Sequence, residues 1–263
     1  MARPVIALLS DFGTQDHYAG AMKGVALGIC PDAILVDITH DIPPHDVRTG
    51  ALELAAAYPY FPAGTVFLVV VDPEVGSTRR AIAVEAGDHR FVAPDNGVLT
   101  QVLQQTPPRQ IVELTERRYA RPTVSRTFEG RDRFAPAAAW LAAGLDMSEL
   151  GRPLTSWHTL TVPVPARRGD QMVGEVLRVD RFGNLITNVD RGTLETFAGG
   201  ASLTIVAGAQ ELNLVGATYA DAEPGAVCAL FSSSGHLEVA VNGGSAAERL
   251  SLGRGAPVTI SRG

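Results

Sequence analysis

Three carboxylates in this sequence stand where an acidic side chain needs a partner or a function. Asp11 follows an apolar run at residues 5–9, and Asp72 follows the β-branched and aromatic run at residues 65–71. Glu129 lies in a dense polar segment directly before an alanine-rich stretch. An ionised group at the end of a buried strand is costly unless it is paired or used. Such carboxylates can accept hydrogen bonds from a ligand diol, take a proton from water or hold a metal ion.

The loop after Asp72 can bring a cation back to this carboxylate. Pro73 and Gly76 favour a tight turn, which would return Arg79 or Arg80 towards the end of the strand. A structural ion pair explains this pattern as well as a functional pair does. The residue types alone do not choose between the two.

Other polar residues near predicted strand ends have simple structural interpretations. Asp11 can cap a turn into the helix that follows it, and Asp132 can cap the alanine-rich helix. The Pro-Asp-Asn-Gly sequence at residues 94–97 is typical of a turn. Asp11 is therefore open to both interpretations, whereas Glu129 has no comparable structural role.

A second set of polar residues lies in the C-terminal part of the chain, at residues 180–184, 187–188 and 232–238. Hairpin turns explain most of these residues individually. Phe182 and Asn184, however, combine an aromatic face with an amide. A purine site needs both features, one for stacking and one for reading the edge of the base.

The elements that would hold these groups change in kind along the chain. Residues 1–150 alternate strand-like runs with stretches of helical periodicity, which predicts an α/β domain with a largely parallel sheet. Residues 151–170 predict a linker, and residues 171–263 predict a smaller all-β, barrel-like domain. Parallel α/β sheets bind ligands beyond the carboxyl ends of their strands, so the positions of Asp11 and Asp72 favour a ligand site.

The composition bounds the class of protein. The 263-residue chain has 22 basic and 28 acidic residues, a formal charge of −6, and 46% hydrophobic residues. It has neither an apolar run of the ~20 residues that a membrane helix needs nor a basic cluster, so we expect no membrane or nucleic-acid partner. Cys30 and Cys228 lie far apart, and the first residues lack the features of a secretory signal. A cytoplasmic location is therefore expected.

Sequence motifs for common cofactors are absent. The chain has no Gly-x-Gly-x-x-Gly, P-loop, Gly-x-Ser-x-Gly or His-Glu-x-x-His pattern. Its six histidines are scattered, without metal-ligand spacing. We therefore expect no cofactor and no metal, and no nicotinamide, nucleoside-triphosphate or zinc chemistry.

Several motifs recur in a fixed order over nearly the whole chain. They are LSDFG at 9–13, THDI at 39–42, VDP at 71–73 with VG at 75–76 and Arg79, APDNG at 93–97, GRD at 130–132 with FAP at 134–136, Asp180 with FGN at 182–184, TN at 187–188, SSG at 233–235 and Glu238. Each motif is weak alone, but their order and placement are specific. Together they resemble the S-adenosylmethionine (SAM) hydroxide adenosyltransferases, or SAM hydrolases, which are relatives of fluorinase and chlorinase.

The resemblance implies a fold, an assembly and a reaction. The fold is an α/β domain joined to a β-barrel domain, and the assembly is a homotrimer with the ligand between neighbouring subunits. The reaction is the hydrolysis of SAM to adenosine and L-methionine by attack of water on the ribose C5′. The sulfonium is a good leaving group, so the enzyme needs chiefly a positioned and activated water.

The resemblance also implies roles for individual residues. Asp11 would hold the ribose hydroxyls, and Asp72 would contact the ribose and the water, which Arg79 would orient. The implied substrate-binding residues are Phe182 and Asn184 for adenine, Asp180 and Ser233 for the methionine ammonium and carboxylate, and Phe128, Glu238 and the Val241 backbone as further contacts.

One position departs from the family pattern. The family has a catalytic His before the Gly-Arg-Asp segment, where this chain has Glu129. A carboxylate can also accept a proton and pair with Arg79, so Glu129 is a candidate third catalytic residue. Its charge next to Asp72 is expected to raise the pKa of one of the two carboxyl groups.

Three alternatives to this hydrolase remain. A non-catalytic adenosine or SAM binder is motivated by Glu129, and a metal-dependent hydrolase could use Asp11, Asp72 and Asp95. Transfer of halide is the third and is disfavoured, because Asp72 and Glu129 would repel an anion in a cleft of low dielectric constant. The halogenases of the family also carry Tyr at the position of Asp72.

Overall fold

The strand Val66–Val70 is buried along its whole length, as its continuous apolar sequence predicts. The structure is a computed structural model that describes residues 3–213 and 215–263. The chain divides into two units, residues 1–161 and 162–263. The division falls within the segment 151–170, for which the sequence predicts a linker. Within the described ranges, no helix is both long enough and apolar enough to cross a bilayer.

The N-terminal unit contains a seven-stranded sheet. Its strands are β1 (Val5–Ser10), β2 (Ile34–Thr39), β3 (Val66–Val70), β4 (Ala81–Ala86), β5 (His89–Pro94), β6 (Pro108–Leu114) and β7 (Gly151–Pro153). They lie in the order β2-β1-β3-β5-β4-β6-β7, in which β2, β1, β3 and β5 pair in parallel and the remaining pairs are antiparallel. The prediction of an α/β unit with a largely parallel sheet is confirmed.

Helices cover both faces of this sheet. They are α1 (Tyr18–Ile29), α2 (Val47–Ala57), α3 (Thr100–Gln105) and α4 (Ala135–Ala142). Successive residues of β3 point to opposite faces, so Leu68 packs in the cluster that contains Met22 of α1, while Phe67 packs in the cluster that contains Leu54 of α2. This two-sided burial explains why β3 has no polar residue before its end.

A π-helical turn, Gly130–Phe134, leads into α4. The sequence predicts one helix over residues 132–143, so the wider turn at its start was not foreseen. Gly130 allows this turn to approach the sheet, because a Cβ atom there would lie 3.2 Å from the Met22 sulfur and 3.3 Å from a Val70 methyl group. The close approach fixes where the preceding residue, Glu129, lies.

The C-terminal unit is dominated by a nine-stranded sheet. Its strands are β8 (Ala166–Arg168), β9 (Gln171–Val179), β10 (Leu185–Asp190), β11 (Leu203–Ala207), β12 (Gln210–Leu212), β13 (Val215–Gly216), β14 (Val227–Phe231), β15 (His236–Val241) and β16 (Pro257–Arg262). The sheet is nearly closed, since β12 near one end contacts β14 near the other. The barrel-like β architecture is confirmed.

Two short helices of this unit were not predicted, α5 (Arg191–Ala198) and α6 (Ala246–Leu250). Asp190 and Ser245 cap them by accepting hydrogen bonds from Thr193 N and Glu248 N. Asp and Ser are also turn residues, so between short strands the sequence favours hairpins over helices of this length.

Candidate active site

Arg79 lies between two carboxylates at the carboxyl end of β3. Its Nε donates to both Asp72 oxygens at 2.9 and 3.0 Å, and its Nη2 lies 2.5 Å from Asp72 Oδ2 and 2.5 Å from Glu129 Oε2. The side chains of Arg79, Asp72 and Glu129 are only 4%, 5% and 10% exposed. The structure therefore brings the three predicted catalytic residues into direct contact.

The loop geometry selects Arg79 over Arg80 as the partner of Asp72. Gly76 adopts a positive φ of 79°, and a Cβ atom there would lie 2.4 Å from the carbonyl oxygen of Arg126. The returning Arg79 guanidinium lies 5.2 Å from the centroid of the Phe134 ring, a cation–π contact from the π-helical turn. Arg80 instead donates to Asp95 Oδ2 at 2.7 Å.

Asp72, Arg79 and Glu129 form the predicted catalytic trio. The pKa values of Asp72 and Arg79 depend on burial and on the charges of the three side chains. Burial raises the pKa of Asp72, the hydrogen bonds from Arg79 oppose this rise, and the charge of Glu129 adds to it. Burial alone would lower the pKa of Arg79, but its bonds to Asp72 and Glu129 outweigh burial and raise it. Burial and the neighbouring Glu129 charge thus both act to raise the pKa of Asp72.

Asp11 lies at the same sheet edge, since β1 pairs with β3 in parallel with Ser10 opposite Val70. Its Oδ2 accepts a hydrogen bond of 2.8 Å from the backbone N–H of His45. His45 has a positive φ of 68°, a left-handed conformation that is uncommon outside glycine. This backbone geometry holds Asp11 in place from a neighbouring loop.

Phe128 belongs to an aromatic cluster beside the trio. Its ring centroid lies 5.8 Å from that of Phe12 and 5.1 Å from that of Tyr18, both in edge-to-face geometry. The Arg131 guanidinium lies 5.0 Å from the centroid of the Phe128 ring, and Phe128 is 8% exposed. Phe128 thus packs between the segment that follows Asp11 and the turn that follows Glu129.

A hydrogen-bond chain, buried at Ser10 and His40 and ending at the exposed Asp37, was not indicated by the motifs. Ser10 Oγ lies 2.7 Å from His40 Nδ1, and His40 Nε2 lies 3.1 Å from Asp37 Oδ1. Ser10 and His40 are 0% and 4% exposed, and the His40 carbonyl also accepts from Gly13 N at 2.7 Å. His40 stands within the THDI motif, but nothing in the spacing indicates that it contacts Ser10.

In the C-terminal unit, Asp180 organises the turn that carries Phe182 and Asn184. Its Oδ1 accepts from Phe182 N at 2.9 Å and Asn184 N at 2.8 Å, and its Oδ2 accepts from Asn184 Nδ2 at 3.1 Å. Phe182 is 76% exposed, whereas Asn184 is 5% exposed. An exposed aromatic ring next to a fixed amide remains available to a ligand.

Glu238 is linked to Asn184 by hydrogen bonds through Tyr219. The sequence did not indicate a role for Tyr219. Tyr219 OH donates to Glu238 Oε1 at 2.5 Å and accepts from Asn184 Nδ2 at 3.5 Å. Burial raises the pKa of Glu238, and burial together with Glu238 raises the pKa of Tyr219. Tyr219 carries no motif signal because it lies outside the recognised segments.

Ser233 and Val241 lie on either side of Glu238 along the chain. Ser233 is exposed in the turn before β15, and Val241 ends that strand with 8% exposure. The described contacts do not join Ser233 to Asp180, Asn184 or Glu238. The structure therefore gathers Asp180, Asn184 and Glu238 but leaves Ser233 apart.

Asp95 and Asp132 are engaged in structural contacts. Asp95 Oδ1 accepts from His158 N at 2.7 Å, in addition to its pair with Arg80. Asp132 does not cap the helix as expected, because it is fully buried and accepts from Arg131 and from Ser125 N. Among the described residues, no three acidic, His or Cys side chains form a group that could hold a metal ion.

The chain thus consists of an α/β unit followed by a β-barrel-like unit, and each carries a group of polar residues. The model of the SAM hydroxide adenosyltransferase N-terminal domain matches residues 6–151, and that of the C-terminal domain matches residues 174–259. The chain belongs to the SAM hydroxide adenosyltransferase family, which confirms the resemblance drawn from its motifs.

Individual proteins agree with this assignment. The (R)-S-adenosyl-L-methionine hydrolase of Salinispora tropica is 40% identical over 99% of this chain and 98% of its own length. A fluorinase of Nocardia brasiliensis is 31% identical over 99% of this chain and 98% of its own length. A crystal structure of an uncharacterized conserved protein from Thermotoga maritima has a TM-score of 0.91 and 38% identity, covering 98% of this chain and all of that one.

Proposed function

We propose that this protein hydrolyses SAM to adenosine and L-methionine, with water attacking the ribose C5′. The observation that carries this proposal is the buried Asp72–Arg79–Glu129 arrangement at the sheet edge, in a chain of the SAM hydroxide adenosyltransferase family. The similarity to the Salinispora tropica hydrolase over 99% of the chain supports the same substrate.

The chemistry requires little beyond a positioned water. The water oxygen bonds to C5′ while the C5′–S bond breaks. The electron pair of the broken C5′–S bond stays on the sulfur of methionine. One proton is released from the water, and Asp72 is the proposed acceptor. Holding the water in line with the C–S bond replaces a bimolecular encounter by a local one.

Arg79 is proposed to orient this water. Among the described residues, its hydrogen bonds to Asp72 and Glu129 use Nε and Nη2, so the Nη1 hydrogens are left to donate to a water oxygen. Glu129 is the proposed third catalytic residue, and its Oε2 accepts from the same Arg79 Nη2 that bonds to Asp72.

The proposed substrate contacts come from two sets of residues, one at the sheet edge of the N-terminal unit and one around Asn184 in the C-terminal unit. Asp11 holds the ribose hydroxyls at the edge that carries Asp72, and Phe128 lines the site next to Glu129. In the C-terminal unit, the exposed Phe182 ring stacks on adenine and Asn184 reads its edge.

The remaining proposed contacts concern the amino-acid end and the base. Asp180 and Ser233 would bind the methionine ammonium and carboxylate, and Glu238 and the Val241 backbone would lie near adenosine. We further propose a homotrimer, with each ligand held between neighbouring subunits, and a cytoplasmic location. The family resemblance supports the trimer, and the exposed Phe182 is consistent with a surface that a ligand or a neighbouring subunit covers.

The test is incubation of the purified protein with SAM, followed by chromatography. We expect adenosine and methionine in equal amounts, with the same rate when EDTA is added. Asp72→Asn should lower kcat at least ~100-fold, the range expected for loss of a general base. Asp88→Asn, an exposed carboxylate in the β4–β5 turn, is the matched control and should leave the rate unchanged.

Each alternative predicts a different outcome of this experiment. A non-catalytic binder would bind SAM in calorimetry and leave it intact. It is the second candidate because Arg79 Nη2 donates to both Asp72 and Glu129 and so does not itself donate to a water. A metal-dependent hydrolase would lose its activity in EDTA. Halide transfer would yield 5′-halogenated adenosine when chloride or fluoride is added.

A further inference from the structure

The proposed catalytic trio is not neutral on its own. Asp72 and Glu129 contribute two negative charges, and Arg79 contributes one positive charge, all on side chains that are at most 10% exposed. An uncompensated charge in such a place is destabilising, and two carboxylates that share one guanidinium repel each other. The three side chains therefore carry one net negative charge, which a second cation would balance.

Arg133 supplies this cation from the π-helical turn. Its Nη2 lies 3.7 Å from Glu129 Oε1, while Arg79 Nη2 bonds to the other oxygen, Oε2. The two oxygens of Glu129 therefore face two different guanidinium groups. Arg133 is four residues after Glu129, so the Gly130–Phe134 turn places both members of this pair.

We propose that Arg133 is a positioning residue for the reaction, which acts by neutralising Glu129 and fixing its carboxylate on Arg79. This inference rests on the proposed function. Arg133 does not touch the water or the substrate; it keeps Glu129 from competing with Asp72 for the single charge of Arg79. Arg79 then holds one orientation towards the water.

The burial of Glu129 distinguishes this pair from an ordinary surface ion pair. Exposed pairs contribute little because water screens both partners. The Arg133 side chain is 34% exposed, but the Glu129 side chain is 10% exposed and faces a second carboxylate through Arg79. Removal of the Arg133 charge therefore leaves an excess negative charge that solvent screens poorly.

The activity test compares Arg133→Met with Arg133→Lys. We expect Arg133→Met to lower kcat about tenfold, a coupling typical of contacting charges, with KM changed less than about twofold. Arg133→Lys retains the charge and should recover most of the rate. The control is Arg152→Met, which removes the ion pair of the exposed Arg152 side chain with Glu113 in the same unit and should have no effect on kcat.

A double-mutant cycle on the Tm tests the pair of Arg133 with Glu129 and does not depend on SAM turnover. Arg133→Met should lower the Tm by ~2–4 °C in the parent chain and by less than half as much in the Glu129→Gln background. A parent-like kcat for Arg133→Met, an equal loss in Arg133→Lys, or equal Tm shifts in the two backgrounds would each overturn the proposal. If the parent protein releases no adenosine, the proposed function fails, while the Tm cycle still decides whether Arg133 compensates Glu129.

Discussion

At the scale of single residues, the chemistry of the site depends on how one guanidinium is shared. Arg79 binds Asp72 through two nitrogens and Glu129 through one, so Asp72 is the more firmly held of the two carboxylates. Burial also raises the pKa of Asp72. A carboxylate that is fixed in direction and more basic than usual is well suited to accept a proton from a bound water.

The raised pKa of Asp72 predicts the acid side of the pH profile. The proposed base acts only when ionised, so the rate is lost as the pH falls through the pKa of Asp72. Because burial, with a contribution from Glu129, raises this pKa, the loss should begin above the ordinary aspartate value of about 3.9. The measurement is kcat/KM for SAM between pH 4 and 9. A profile that stays flat down to pH 4 would contradict this assignment.

Only part of this residue-level picture could be predicted from the sequence. A tight loop after Asp72 indicates that an arginine returns, and the resemblance to the SAM hydrolases singles out Arg79. The positive φ of Gly76 and the contact of Arg79 with the Phe134 ring emerge only from the structure. The contact of Ser10 with His40 joins the ends of two strands that are 30 residues apart. Such long-range contacts depend on the sheet order, which residue types do not specify.

At the scale of elements, the site depends on the pairing of β1 with β3 and on the approach of the π-helical turn to the sheet. The parallel register of β1 and β3 brings Asp11 to the edge that carries Asp72. The π-helical turn at Gly130–Phe134 brings Glu129 and Arg133 to the same edge. Turns of this kind often occur at functional sites, because the extra residue redirects the side chains around it.

Adding one methyl group at Gly130 tests whether the site needs the close approach of the π-helical turn to the sheet. Gly130→Ala would place a Cβ atom 3.2 Å from the Met22 sulfur and 3.3 Å from a Val70 methyl group. We expect a loss of about 1–3 kcal/mol in the free energy of unfolding, typical of overpacking, and a lower kcat because Glu129 shifts. Denaturant unfolding and SAM turnover measure the two effects.

The matched control lies in a neighbouring helix. Gly24 of α1 has no atom within 4 Å of an added Cβ, so Gly24→Ala should keep full activity and unchanged or higher stability. If Gly130→Ala behaves like Gly24→Ala, the close approach of the turn is not needed for the site.

The elements themselves were more predictable than their fine structure. The strand β3 could be predicted because an uninterrupted apolar run has few alternatives. The π-helical turn could not, since Arg131, Asp132 and Arg133 are compatible with an ordinary first turn of a helix. Its shape depends on tertiary contacts such as that between Asp132 and Ser125.

At the scale of the whole molecule, each unit contributes one polar group of different character. The N-terminal unit carries the buried charged trio at the end of a parallel sheet. The C-terminal unit carries an exposed aromatic ring beside a buried amide. Each of the two units is matched by its own family model.

If water attacks C5′ as the carbon–sulfur bond breaks, the oxygen atom of that water ends in the adenosine product. The most direct measurement is SAM turnover in ¹⁸O-labelled water, with mass spectrometry of the adenosine that forms. We expect one ¹⁸O atom in the 5′-hydroxyl group of adenosine and none in methionine. Unlabelled adenosine, or SAM that remains intact at stoichiometric protein, would contradict it.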